Sequence, residues 1–354
     1  METEIIRIRQ NAEELTTMEE KALRHAGEVI KQGGLAAFPT ETVYGLGGDA
    51  LNKYSSEKIY TAKNRPSDNP LIVHICRFED IYSIASEVSE EAKKLADAFW
   101  PGPLTMILQK SDMVPCETTG GLDTVAIRMP AHFAARRLIA YSGGYVAAPS
   151  ANASGKPSPT VAKYVMEDMM GKIDVIIDGG EVGIGLESTI VDMTVSPPRI
   201  LRPGYITEEM LEQVLHEVDM DVTILNNDSG EAPKAPGMKY RHYAPKGDLP
   251  IVTGSAEQVT EYINAQAARD RAAGEKVGII GTEEVLNRYH ADVIKSVGSR
   301  SDEESIARHL YTILREFDDE GVTKIYSEGF SAEGFGQAIM NRLLKAAGHH
   351  IINL

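Results

Sequence analysis

Apolar positions along this chain fall into two kinds of run. Ala22, Leu23, Ala26, Val29 and Ile30 recur at helical spacing; Thr17-Met18-Glu19-Glu20 ahead of them reads as a capping box, and Gly33-Gly34 ends the run. Short, mainly apolar runs read instead as buried strands, at 35–38, 71–75, 104–108, 125–128, 145–148, 175–177 and 189–193. Helices are expected between them at 55–63 and near 89–99, 131–141, 160–170 and 207–217. This mixed order predicts an α/β layer fold with a twisted, partly antiparallel sheet.

The pattern breaks between 219 and 248, where Asn226-Asn227-Asp228-Ser229-Gly230 and Ala235-Pro236-Gly237-Met238-Lys239-Tyr240-Arg241-His242-Tyr243-Ala244-Pro245 read as a linker. Tyr240, Arg241, His242 and Tyr243 make it an unusual spacer and suggest that it docks on something. Beyond it, strand-like runs at 250–252, 277–280, 293–294 and 324–326 alternate with helical segments near 255–272, 301–317 and 335–347, the order of a small Rossmann-like sheet. Gly278 and Gly281 do not complete G-x-G-x-x-G, so nothing in that run supports dinucleotide binding. The expected organisation is a domain at 1–218, a linker at 219–248 and a second domain at 249–354.

Length and charge fit this division. At 354 residues the chain exceeds the usual size of one core. Its formal net charge is −16, with 24 Lys and Arg against 35 Asp and Glu up to residue 245 and 12 against 17 after it. Neither part is a basic nucleic-acid module. The two cysteines, Cys76 and Cys116, form no ligand-spaced pair, so neither a disulfide framework nor a zinc site is expected. The first residues carry no apolar leader, and no window approaches the ~18 apolar residues of a membrane span. A cytoplasmic setting without membrane attachment is expected.

Candidate chemistry lies in polar patches at the ends of the strand-like runs. Lys63-Asn64-Arg65-Pro66 ends a helical segment; a point charge and a planar fork beside the Ser67 hydroxyl suit a triphosphate, but the pair also reads as solvated helix-end cations. Pro149-Ser150-Ala151-Asn152, with Ser154 and Ser158 beyond, follows a strand and reads either as an anion-binding nest or as ordinary loop-forming residues. Arg128 interrupts a buried strand and needs a carboxylate, from a structural Glu or from a substrate. His74, also in a strand, reads as a ligand contact or as a hydrogen-bonded core histidine. Ser188 lacks the G-x-S-x-G context of a hydrolase nucleophile.

These segments resemble a known family. Thr40-Glu41-Thr42-Val43-Tyr44-Gly45-Leu46, Lys63-Asn64-Arg65-Pro66 with Asn69-Pro70-Leu71, Trp100-Pro101-Gly102-Pro103-Leu104-Thr105, Val125-Ala126-Ile127-Arg128-Met129-Pro130, Pro149-Ser150-Ala151-Asn152, Glu187-Ser188-Thr189-Ile190 and Leu201-Arg202-Pro203-Gly204 follow in order the motifs of the YrdC-like threonylcarbamoyl-AMP synthases. The region after residue 235 resembles their long, two-domain form. The resemblance implies a YrdC-like twisted mixed sheet with helices, then the linker and a smaller Rossmann-like domain. It also implies a nucleotidyltransferase that condenses L-threonine, bicarbonate or CO₂ and ATP into threonylcarbamoyl-AMP and pyrophosphate.

By the same resemblance Thr40, His74, Arg128 and Ser188 lie on the threonine side. Lys63, Arg65, Ser67, Thr124, Ser150, Asn152, Ser158 and Arg202 lie on the nucleotide side, with Lys63 and Arg65 the catalytic cations and Tyr243 a linker residue that touches the nucleotide. Mg²⁺ is expected on the phosphates. The product would pass to a tRNA threonylcarbamoyltransferase for N6-threonylcarbamoyladenosine formation at position 37. Direct tRNA binding stays open. A bare RNA-binding module is opposed by the negative charge, and a carbamoyl-transfer enzyme of the zinc-finger kind by the two isolated cysteines.

Overall fold

The computed structural model describes residues 2–10, 14–221 and 242–354. The segment 222–241, with most of the expected linker, lies outside the described residues. The chain divides into two compact units: Met1–Ser154, Ser158–Gly183 and Glu187–Lys239 form the first, and Gly155–Pro157, Ile184–Leu186 and Tyr240–Leu354 the second.

Among the described residues the first unit carries eleven strands: β1 (Glu4–Arg7), β2 (Ala36–Pro39), β3 (Tyr44–Asp49), β4 (Ile72–His74), β5 (Leu104–Gln109), β6 (Thr124–Arg128), β7 (Val146–Ala147), β8 (Val175–Asp178), β9 (Thr189–Asp192), β10 (Arg199–Arg202) and β11 (Asp219–Met220). Their order is β1-β8-β2-β3-β7-β4-β6-β5-β9-β10-β11, with parallel and antiparallel neighbours mixed. Helices α1 (Thr17–Lys31), α2 (Lys53–Lys63), α3 (Ile81–Ile84), α4 (Glu90–Phe99), α5 (Phe133–Tyr141), α6 (Ala162–Met169) and α7 (Glu208–Leu215) accompany the sheet. Among the described residues two large apolar clusters make up most of the core of this unit. One gathers Leu46, Ile59, Val73, Leu104, Ile127 and Val191, and the other Leu23, Ile30, Phe38, Leu138 and Ile177. Ile72, Ile107, Ala126, Ile190 and Leu201 form a smaller one.

Local sequence explains most of these elements, with two differences from expectation. The capping box of α1 sits one residue earlier, on Thr16 and Glu19: Glu19 N donates to Thr16 Oγ1 at 3.2 Å and Thr16 N to Glu19 Oε2 at 2.8 Å. Glu19 is drawn inward because Arg9 also donates to it, whereas Glu20 pairs with Arg137.

Strand β3 was not expected from its sequence, Tyr44-Gly45-Leu46-Gly47-Gly48-Asp49, because glycine is poor strand material. It forms because the sheet presses other side chains onto it. A Cβ on Gly47 would stand 2.8 Å from both Phe38 Cε1 and Val146 Cγ1.

The second unit holds β12 (Ile251–Thr253), α8 (Ala256–Ala272), β13 (Val277–Gly281), β14 (Val293–Ser296), α9 (Glu303–Asp319), β15 (Lys324–Glu328), α10 (Gly334–Ala346) and β16 (Ile351–Asn353). All pairings are parallel, in the order β14-β13-β15-β12-β16. This is the expected Rossmann-like sheet, with β16 added as an edge strand.

Candidate active site

The site is built where β2 turns into β3. Thr40 Oγ1 donates to Val43 O at 2.6 Å and lies 2.8 Å from Thr42 Oγ1, so the turn Thr40-Glu41-Thr42-Val43 is held by its own hydroxyls. Both threonines are buried. The turn presents Glu41 and Thr42 to Arg128 at the end of β6. Arg128 Nη2 donates to Glu41 Oε1 at 2.6 Å, Nη1 to Thr42 Oγ1 at 2.9 Å and Nε to Gly102 O at 3.3 Å.

Arg128 is 4% exposed, so the carboxylate that its position demands is supplied in this structure by Glu41. Burial alone would raise the Glu41 carboxyl, but the adjacent guanidinium outweighs it and holds the group below the usual carboxylate range.

Sheet register sets the neighbours of Arg128. Val146, His74, Arg128, Thr105 and Ile190 stand opposite one another across β7, β4, β6, β5 and β9. His74 is buried, its Nδ1 lies 3.1 Å from Ile72 O, and its ring meets Phe38 edge-on at 6.4 Å. Burial, reinforced by Arg128, depresses its pKa to about 3, so it is neutral at physiological pH. His74 is thus a hydrogen-bonded core histidine in the same row as Arg128.

Thr105 leads to Ser188, with the two hydroxyls 2.7 Å apart. Arg202 then fixes Ser188 from β10, donating from Nε to Ser188 O at 3.0 Å and from Nη2 to Ser188 Oγ at 3.1 Å. Gly204 completes this corner, since a Cβ there would lie 2.4 Å from Thr189 N. Arg202, expected among the nucleotide residues, thus bonds directly to Ser188, expected among the threonine residues, so the two groups meet at this corner.

The second cluster surrounds Lys63, the last residue of α2. The side chain is 1% exposed, so the reading of Lys63 as a solvated helix-end cation is overturned. Its Nζ donates to the main-chain carbonyls of Ser150 and Asn152, and Ser154 N returns a bond to Lys63 O at 2.8 Å. Ser150 Oγ donates to Asn152 Oδ1 at 2.5 Å, and Ser158 Oγ to Glu187 Oε1 at 2.5 Å.

Arg65 follows the helix cap Asn64, which adopts φ 53°, and donates to Asn69 O and Pro70 O at 3.3 and 3.1 Å. Ser67 is exposed on the same turn, and Thr124 opens β6, partly buried. Tyr243 lies in the second unit, buried at φ 64° and stacked on Tyr311 with centroids 5.0 Å apart.

One stretch joins the clusters. While Glu41 and Thr42 hold Arg128, Tyr44 O accepts Ala151 N at 2.8 Å, Leu46 N donates to Pro149 O at 2.8 Å, and Gly45 bridges to Ser150. A carboxylate-binding corner and a cation-bearing loop thus flank the same seven residues. Sequence reasoning missed Glu41, Thr42, Thr105, Glu187 and Gly204 as working parts, although all stand inside or beside the quoted motifs. Among the described residues no three acidic, histidine or cysteine side chains gather as metal ligands, and no helix is long and apolar enough to cross a membrane.

Comparison with known proteins agrees over the whole length. A family model described as telomere recombination matches residues 28–204, and one described as threonylcarbamoyl-AMP synthase, C-terminal domain, matches 206–348. Threonylcarbamoyl-AMP synthase of Pyrococcus abyssi is 49% identical over 337 residues, 95% of this chain and 97% of that protein. The Bacillus subtilis protein of the same name is 46% identical over 341 residues, 96% of each. The crystal structure of P. abyssi Sua5 complexed with L-threonine superposes with a TM-score of 0.93 at 48% identity, covering 99% of this chain and 100% of that one. By its motifs, its fold and these relatives, this chain belongs to the threonylcarbamoyl-AMP synthase family.

Proposed function

We propose that this chain makes L-threonylcarbamoyladenylate from L-threonine, bicarbonate and ATP, releasing pyrophosphate. The observation that carries the reading is the Thr40–Leu46 stretch, which touches the Arg128 corner on one side and the Lys63 loop on the other. Substrates recognised by a carboxylate and by phosphates would meet across it. The relatives named for this activity, and the complex of P. abyssi Sua5 with L-threonine, support the same assignment.

In the proposed chemistry the threonine amine forms a bond to the carbon of bicarbonate, water leaves, and a carbamate results. A carbamate oxygen then bonds to the ATP α-phosphorus while the bond to pyrophosphate breaks. The chain's own contribution is positioning and charge. Arg128, with Ser188, Thr40 and the neutral His74 around it, receives the threonine carboxylate; Lys63 and Arg65 offset phosphate charge; Ser67, Thr124, Ser150, Asn152 and Ser158 offer hydroxyl and amide contacts; and Arg202 holds Ser188 in place.

Lysine and arginine donors with hydroxyls fit a triphosphate better than they fit a bare cation. Mg²⁺ is proposed to arrive bound to the ATP phosphates. The product is proposed to serve a tRNA-modifying transferase in the cytoplasm.

Pyrophosphate release measured with each substrate omitted in turn tests the reading. Release is expected only with ATP, bicarbonate and L-threonine together, and equal release without threonine would overturn it.

A further inference from the structure

The second unit contains a crevice lined by none of the residues assigned above to the synthesis. A cavity of about 420 Å³ opens at the carboxyl end of its parallel sheet, lined among others by Val252, Thr253, Arg300, Glu328, Gly329 and Phe330. Its place follows from topology. From β12 the chain crosses through α8 toward β13 on one side of the sheet order, and from β15 it crosses through α10 toward β16 on the other. Right-handed crossovers in opposite directions put α8 and α10 on opposite faces, so the loops after the adjacent strands β12 and β15 diverge. Ligands of open parallel sheets bind in such a gap.

The lining is polar and ordered. Glu328 is 2% exposed and accepts Thr282 N at 2.9 Å and Thr282 Oγ1 at 3.3 Å, which fixes a carboxylate at the wall. Arg300 pairs with it from the loop after β14, and its Nη1 donates to Gly329 O at 3.2 Å. Its side chain is 43% exposed, and its Nε finds no hydrogen-bond partner among the described residues, so donors remain for a ligand. Glu284 Oε1 holds that loop by accepting Arg300 N at 2.9 Å and Ser299 Oγ at 2.6 Å. The guanidinium also stands 5.6 Å from the centre of the Phe330 ring.

The geometry points to a mononucleotide as the occupant of this crevice. A cavity of this volume lies within the range of small-molecule sites, about 300–1,000 Å³. Arg300 supplies donors for the phosphate, Glu328 at the wall a carboxylate that orients them, and the partly exposed Phe330 ring a surface for the base. A second phosphate-linked nucleoside has no glycine fingerprint to receive it, because the turn between β12 and α8 is only Gly254-Ser255.

Hydrogen exchange of the full-length protein with AMP as the probe tests this, because it separates the crevice from any nucleotide held in the first unit. AMP at millimolar concentration is expected to slow exchange in peptides spanning 253–258 and 328–331. Arg300→Ala should weaken that protection at least tenfold. Ala256→Asp, which adds a negative charge at an exposed position on the rim and leaves the Arg300–Glu328 pair alone, should weaken it as much. Unliganded melting temperatures serve as the control for folding. Absence of AMP protection in these peptides, protection by L-threonine instead, or AMP protection in both variants unchanged from the parent protein would each overturn the assignment.

Discussion

Arg128 and Glu41 form a closed ion pair, Nη2 to Oε1 at 2.6 Å, in the corner where a substrate carboxylate is proposed to bind. A threonine carboxylate entering there competes with a carboxylate that the protein already supplies. Arg128→Ala should therefore raise the threonine KM more than tenfold. It should also cost stability, up to about 3–5 kcal/mol, because Glu41, with its side chain 15% exposed, is left mostly buried without its partner. Adding Glu41→Gln should recover part of that stability without recovering threonine affinity. Steady-state kinetics and urea melts of the three proteins measure both effects, and an unchanged threonine KM in Arg128→Ala would remove it from the carboxylate role.

Lys63 and Arg65 should separate in their effects on stability. Each substitution to alanine is expected to weaken ATP use ten- to hundredfold, the loss of a charge-assisted contact of about 1.5–3 kcal/mol. Lys63→Ala should also lower the melting temperature, since it strips the carbonyls of Ser150 and Asn152 of a buried donor. The partly exposed Arg65 should leave melting nearly unchanged. Normal ATP kinetics in both variants would return the pair to a structural role.

His74 gives a pH signature. Its folded pKa of about 3 lies below the ordinary 6.5, so the unfolded chain binds the extra proton. The stability that this contributes is complete above pH 6.5 and is lost as pH falls toward 3, at about 1.4 kcal/mol per pH unit. His132, depressed by burial, acts in the same sense, whereas Glu41 loses its contribution only below its ordinary 4.5. Urea melts between pH 4.5 and 6.5 should show a shallower slope in His74→Asn than in the parent. Equal slopes would mean that His74 is charged in the folded protein.

Gly204→Ala tests the corner around Ser188. The new methyl would meet Thr189 N and the Ser188 carbonyl carbon at 2.4 and 2.8 Å, both main-chain atoms that yield little. A loss of about 1–3 kcal/mol is expected, with a raised threonine KM as Ser188 shifts. Wild-type melting and kinetics together would show that the corner has slack.

Most strands and helices could be read from apolar periodicity, because buried runs such as Val125-Ala126-Ile127 announce themselves. Strand β3 could not, because its glycines answer to Phe38 and Val146 packed on them and to no local preference. The same division holds within the site. Arg128 was legible as a cation needing an anion, but Glu41 stands far from it in sequence, and it takes the β2–β3 turn and the sheet order β3-β7-β4-β6 to bring them together. Lys63 looked like a helix-end charge because its burial is supplied by a loop almost ninety residues later.

The bonds from Lys63 to Ser150 O and Asn152 O place its charge on the course of the main chain. Exchanging the side chain at 152 takes from the ammonium only the long contact from Nζ to Asn152 Oδ1 at 3.5 Å and keeps both main-chain bonds, provided the loop keeps its path. A substitution that bends the path, such as proline at 151, where the amide is bonded to Tyr44 O, would displace the cation while leaving every charged residue in place. In this corner the backbone trace, more than the identity of the loop's side chains, is what an engineer would have to preserve.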